Sequence, residues 1–233
     1  MHRRLAWFLI PFALGLTLFL APSPAQASGF VLQAQQKPPF EDEIERFEAE
    51  DARVKPPLHP VVFVGSSSIR RWSTLSSDFP HPTSLNRGFG GSEISDSVRY
   101  AKRIVTKYQP KMIVFFAGTN DLESGKSVQT VFDDFRQFVK VVREDCPSTP
   151  IIYISITPAP SRWKNLDKVE ETNRLIKDYC RSNAHLRYLD VFKSFLTKDG
   201  GPRPELFVSD QLHLKPAGYA IWVRALGPLL PKD

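Results

Sequence analysis

The chain has 233 residues, 42% of them hydrophobic and 24% charged, enough for one globular domain with a full core and incompatible with disorder or a collagen-like repeat. Thirty-one Lys and Arg against 25 Asp and Glu give a net charge of +6, spread along the chain without a basic block, which excludes a dedicated nucleic-acid binder. Two cysteines are too few for a disulfide framework, and no Cys/His cluster has zinc-ligand spacing, so neither a metal nor another cofactor is expected.

At the N-terminus His2, Arg3 and Arg4 precede an acid-free apolar run from Leu5 to Ala21, and Ala25-Gln26-Ala27 supplies small residues behind it. This is the pattern of a secretory signal peptide cleaved after Ala27, which predicts a periplasmic or secreted protein. The rival reading is a membrane anchor, but about 17 apolar residues interrupted by Pro11 are at the short limit for spanning. The expected organisation is a signal peptide over 1–27, a Pro-containing linker over 28–39 and one domain over 40–233. No stable membrane insertion is expected after cleavage.

The domain opens on an acidic segment, Phe40 to Asp51, with Phe40, Ile44 and Phe47 on one helical stripe. Such a helix either offers an acidic recognition surface or, the reading favoured here, docks three side chains and leaves its charges in water. Strands are then predicted at Val61–Val64, Thr83–Asn86, Met112–Phe116, Ile151–Ile156 and around Leu186–Val191. Between them lie stretches of helical period, marked by Ile94, Val98 and Ala101, by Val131, Phe135 and Phe138, and by Val169 and Ile176. A last helix opens near Pro216, a residue suited to a first turn. Alternating strands and helices imply an α/β fold with a parallel sheet covered on both faces.

Open parallel sheets bind ligands beyond the carboxyl ends of their strands. There the sequence delivers Gly65-Ser66-Ser67-Ser68, Gly88-Phe89-Gly90-Gly91, Gly118-Thr119-Asn120-Asp121 and, after the fifth strand, Asp210-Gln211-Leu212-His213. A hydroxyl, flexible backbone, a carboxamide, a carboxylate and an imidazole form the inventory for acyl transfer through a serine. Taken singly these could be helix caps and turns, and Asp121 reads as a cap for the turn that follows it. A phosphate cradle at Gly65 to Ser68 is disfavoured because no Gly-Lys-Ser/Thr follows, and an elbow-type lipase because no Gly-x-Ser-x-Gly occurs.

From about Val61 to the C-terminus these four blocks resemble, in order, those of the SGNH or GDSL-type hydrolase family of esterases and lipases, which includes proteins like the platelet-activating-factor acetylhydrolases. Val64-Gly65-Ser66-Ser67 aligns with the nucleophile block and departs from it in carrying Ser66 where the family has Asp. The resemblance implies a three-layer α/β/α sandwich, flavodoxin-like, with a five-stranded parallel sheet. It implies Ser67 as nucleophile, His213 as general base, Asp210 as its partner, and an oxyanion hole from the Ser67 and Gly91 N–H groups and the Asn120 amide.

The expected activity is hydrolysis of short-chain acyl esters, with O-acetyl groups on carbohydrate as the first candidate substrate. A lysophospholipase-like esterase is the second candidate, and an inactive ligand-binding module of the same fold is the alternative from another class. Arg70, Arg71, Arg87, Arg162 and Trp163 are candidate substrate contacts, able to pair with anionic groups or stack on a sugar, and equally able to be ordinary surface residues. Cys146 and Cys180 continue the apolar stripes of consecutive helices, which leaves open a disulfide or two buried thiols. Oligomeric state is not encoded in any of these patterns.

Overall fold

Five short runs rich in β-branched and aromatic residues form the strands, and each is followed by a segment whose apolar positions recur at helical spacing. In the computed structural model, which describes residues 37–231, the chain runs through α1 (Glu41–Arg53), β1 (Val61–Gly65), α2 (Ser67–Arg70), α3 (Leu75–Asp78), β2 (Ser84–Gly88) and α4 (Ile94–Ile104). It continues with β3 (Met112–Phe116), α5 (Thr119–Glu123), α6 (Val128–Asp145), β4 (Ile151–Ile154), α7 (Leu166–Ser182), β5 (Leu186–Leu189) and α8 (Pro216–Leu226). The signal-peptide reading and residues 28–36 of the linker lie outside the described residues. No helix among the described residues is long and apolar enough to cross a membrane.

All strand pairs are parallel, in the order β2-β1-β3-β4-β5. Strand parity divides the core into two layers. Val62, Val64, Ile113, Phe115, Ile151 and Tyr153 face α1, α4, α6 and α7, while Val61, Phe63, Met112, Val114, Phe116 and Ile152 face α2, α3 and α8. The second layer centres on buried Trp72, whose ring lies 5.2 Å from Tyr219 and 5.6 Å from Trp222. This is the three-layer sandwich expected. The strands differ from expectation only at their ends, β2 running on to Gly88 and β4 and β5 stopping at Ile154 and Leu189.

The acidic helix α1 is neither a free recognition surface nor merely solvated. Ile44 and Phe47 are buried, Phe40 sits half-buried at the N-cap in a left-handed conformation, and several of the carboxylates, Glu41, Glu43 and Glu48 among them, are paired with arginines elsewhere in the chain. Arg103 binds Glu41 at 2.6 Å and Glu48 at 2.7 Å, and Glu43 lies 2.9 Å from Arg70.

The two cysteines are free and buried. Helix α6 lies between α4 and α7, and the Cys146 sulfur approaches the Thr106 carbonyl on the α4 side, so it faces away from α7. Burial raises the Cys146 thiol and pushes that of Cys180 up to about 12.

Candidate active site

At the end of β1 the chain must pass directly against the end of β3. Gly65 has φ +133°, and a Cβ there would lie 1.9 Å from the Phe116 carbonyl oxygen, so only glycine fits. The turn brings Ser66 to the N-cap of α2 and Ser67 to its first position. The three serines then separate by environment. Ser66 is buried with its N–H bonded to the Phe116 carbonyl, and the Ser68 carbonyl accepts from the Tyr219 hydroxyl, while Ser67 turns its hydroxyl to the cleft. Helix α2 has only four residues, so the helix-dipole contribution at Ser67 is smaller than a full helix would give.

The Ser67 Oγ lies 2.8 Å from His213 Nε2, and His213 Nδ1 lies 2.6 Å from Asp210 Oδ2. Asp210 Oδ1 accepts the backbone N–H groups of Leu212 and His213, both at 2.9 Å, so the carboxylate organises its own loop as well as the ring. Desolvation would raise the Asp210 carboxyl, but the His213 N–H, the His213 ring and the Leu212 N–H together outweigh it and bring it down to about 2. An ionised carboxylate only accepts, so Nδ1 carries the proton and Nε2 is the acceptor for the serine hydroxyl. The loop is closed by the Phe207–Leu214 bridge and pinned where the Ser161 N–H and hydroxyl both donate to the Gln211 carbonyl.

Gly91 and Asn120 line the same cleft as Ser67 and His213. Gly91 holds φ +84°, a left-handed conformation suited to glycine, directly after the second strand's loop. The Asn120 side chain donates to the Ser92 carbonyl at 3.0 Å, tying the two donor loops together. Asp121 departs from the expected local cap. It is fully buried and accepts the Ile94 N–H at 3.0 Å, capping the start of α4, 27 residues earlier. Burial raises its carboxyl to about 6, against the lowering effects of the Ile94 N–H and of Lys126, which lies 3.2 Å away.

Of the candidate substrate contacts, Arg70, Arg71 and Arg162 line the cleft. Arg87 does not. It is buried on the opposite side of β2, ion-paired with Asp51, bonded to the Tyr108 hydroxyl at 2.8 Å and sandwiched between the Phe47 and Tyr108 rings. It anchors α1 to the sheet. Trp163 is half-buried and is not among the residues that line the cleft.

Sequence reasoning missed a recess beside Ser67 and Asn120, of about 10 Å³, walled by Phe116, Thr119, Thr157, Ala159 and Leu212. These residues come from four separate segments, and none carries a reactive group that would single it out.

Residues 62–221 match the GDSL-like Lipase/Acylhydrolase family. The chain belongs to that family. A GDSL-like lipase from Bacteroides thetaiotaomicron has a similar fold, with a TM-score of 0.68 at 20% identity over 80% of this chain and 96% of that one. An acetylxylan esterase from Geobacillus stearothermophilus, solved as a catalytic mutant, gives 0.58 at 14% identity over 77% and 97%. A Streptococcus pneumonia protein described as a platelet activating factor gives 0.72 at 20% identity over 82% and 92%. At these identities the likeness is one of fold. A comparison with curated proteins gives no match. The family match and the five-stranded parallel sheet thus agree on the fold of a GDSL-type hydrolase.

Proposed function

We propose that the protein is an exported serine esterase that removes short acyl groups, acetyl above all, from a polar alcohol such as a carbohydrate. The observation that carries the reading is the continuous hydrogen-bonded chain from Ser67 Oγ through His213 to Asp210, opening on a cleft that also holds Gly91 and Asn120. Ser67 attacks the acyl carbon while His213 Nε2 takes its proton. The bond to the alcohol breaks, and the same proton passes to the leaving oxygen. Water, deprotonated by His213, then attacks the acyl-enzyme, and Ser67 recovers its proton as the acid leaves. Asp210 holds the ring in the required tautomer and stabilises the imidazolium. The Gly91 and Ser67 N–H groups and the Asn120 amide are the donors for the oxyanion, each worth about 2.7–4 kcal/mol in the barrier.

The recess supports a short acyl group. At about 10 Å³ it is small, which favours a methyl group over a long chain. The recess thus supports acetyl over longer acyl groups, and the acetylxylan esterase of similar fold is consistent with removal of acetyl from a sugar. The basic, apolar and small-residue pattern of residues 1–27 supports export.

The test is a series of 4-nitrophenyl esters from acetyl to palmitoyl, run with acetylated sugars and lysophospholipid. Turnover should be greatest for acetyl and should vanish in Ser67→Ala. A preference for long chains would favour the lipid-esterase reading, and a folded protein without turnover on any of them would favour a binding module.

A further inference from the structure

The recess accounts for the acyl group but leaves the main cleft, of about 590 Å³, without an occupant. Its lining is unlike that of a site for a neutral alcohol. Three guanidinium groups, from Arg70, Arg71 and Arg162, border it, Leu212 is its single apolar side chain, and no carboxylate is in the lining.

Two of the arginines are held from behind. Glu43 on α1 lies 2.9 Å from Arg70, and Arg70 Nη1 is packed so closely over Gly90 that a Cβ there would approach it to 2.7 Å. Glu123 on α5 binds Arg162 at 2.6 Å and shares itself with Lys164 at 2.9 Å. Arg71 has a looser partner, Asp210, at 3.9 Å. Counting all of these groups, four cations face three carboxylates, and none of the three carboxylates lines the cleft.

A guanidinium has five N–H donors in a fixed fork, and one anchoring carboxylate uses only some of them. The remainder are available on the cleft side. Arg162 has a further unused donor, its Nε, which is buried without a hydrogen-bond partner among the described residues. A buried donor left unpaired is costly, and like charges brought together are costly too. An oxyanion in the cleft offsets the crowding of positive charge there, and arginines already fixed in place lose little entropy on binding it.

We infer that the alcohol released by the enzyme is itself anionic, an acidic sugar whose carboxylate or phosphate is held by Arg71 and Arg162 with Arg70 beside them. The inference rests on the esterase reading for its chemistry but not for its binding energetics. Glu43 and Glu123 are then positioning residues, which fix the arginines for the anion.

Two measurements separate this from the esterase reading. In the first, kcat/KM is compared for O-acetylated glucose, O-acetylated glucuronic acid and O-acetylated glucose 6-phosphate. At least one anionic ester should exceed the neutral one by about tenfold, mainly through KM, and the better of the two identifies carboxylate or phosphate as the group held. In Arg162→Gln and Arg71→Gln that ratio should fall toward unity. Equal kcat/KM for all three overturns the inference and leaves the esterase standing. In the second, glucose, glucuronate and glucose 6-phosphate are titrated into the unmodified protein by calorimetry. An anionic sugar should bind about tenfold more tightly than glucose even if no ester is turned over, in which case it is the esterase reading that fails. Equal binding of all three overturns the inference.

Discussion

Two segments beside Ser67 each contribute an aspartate, and the fold treats the pair in opposite ways. Asp210 lies in the 207–214 loop with 42% of its side chain exposed, and its hydrogen-bond donors bring its carboxyl down to about 2. Asp121 lies on α5 with none of its side chain exposed, and burial lifts its carboxyl to about 6. Asp210 touches the imidazole. Asp121 touches no catalytic group, and instead fastens the N-terminus of α4 just beyond Gly91, while its neighbour Asn120 fastens the Ser92 carbonyl. The lesson is that the carboxylate meant to stay charged is kept near water and supplied with donors, whereas the one used as a brace is buried at a cost in its ionised form.

Substitutions at the two aspartates should therefore fail differently. Asp210→Asn is expected to lower kcat by up to about 10⁴-fold with only a modest loss of thermal stability near neutral pH, since the imidazole loses its orienting anion while the contribution of the exposed carboxylate to the fold is screened by water. A thermal melt alongside initial rates checks this, and a large loss of stability would make Asp210 a brace as well. Asn120→Ala tests the donor beside the brace. It should cost about 10²–10³-fold in kcat, with KM changed much less, as expected for a contact made mainly in the transition state.

Asp121→Asn should have the smallest effect on turnover and the clearest effect on pH dependence. A carboxyl raised in the folded state adds stability that is full below its unfolded pKa, near 3.8, and is lost as pH rises through about 6. Two units correspond to about 3 kcal/mol. Between pH 4 and pH 7 the stability of the native chain relative to Asp121→Asn should fall by about that much in denaturant titrations. Lys126 keeps Glu93 at 2.9 Å and Asp134 at 2.7 Å in the variant, so it is not left unpaired. Asp210 has the opposite sign, its contribution being present above its unfolded pKa and lost as pH falls through about 2. A pH-independent difference between native and Asp121→Asn would show that the buried carboxyl is not raised.

The order of elements and the arrival of Ser67, Asp210 and His213 at one edge of the sheet were legible in the sequence, because each depends on local signals. Strand runs, glycines at strand ends and a three-residue Asp-to-His spacing need no knowledge of distant partners. What the sequence hid depends on long-range pairing. Arg87 looked like a cleft residue because it follows Asn86 in a motif block, yet on β2 it shares its face with Leu85, which packs toward α1, and its partner Asp51 is 36 residues earlier. Asp121 likewise sits where a local cap is plausible and bonds elsewhere. The cysteines fell on the expected apolar stripes, but a stripe fixes only the face of a helix, and the direction of Cys146 within that face was set by its neighbour α4. Glu43 gave no signal at all, being one acid among many on α1.

The proposed nucleophile is Ser67, and neither of its neighbours. Treating the folded protein with a fluorophosphonate and mapping the adduct by peptide mass spectrometry tests it directly. A single modification on Ser67 is expected, lost in Ser67→Ala and greatly slowed in Asp210→Asn. Modification of Ser66 or Ser68, or undiminished labelling of Ser67→Ala, would contradict it.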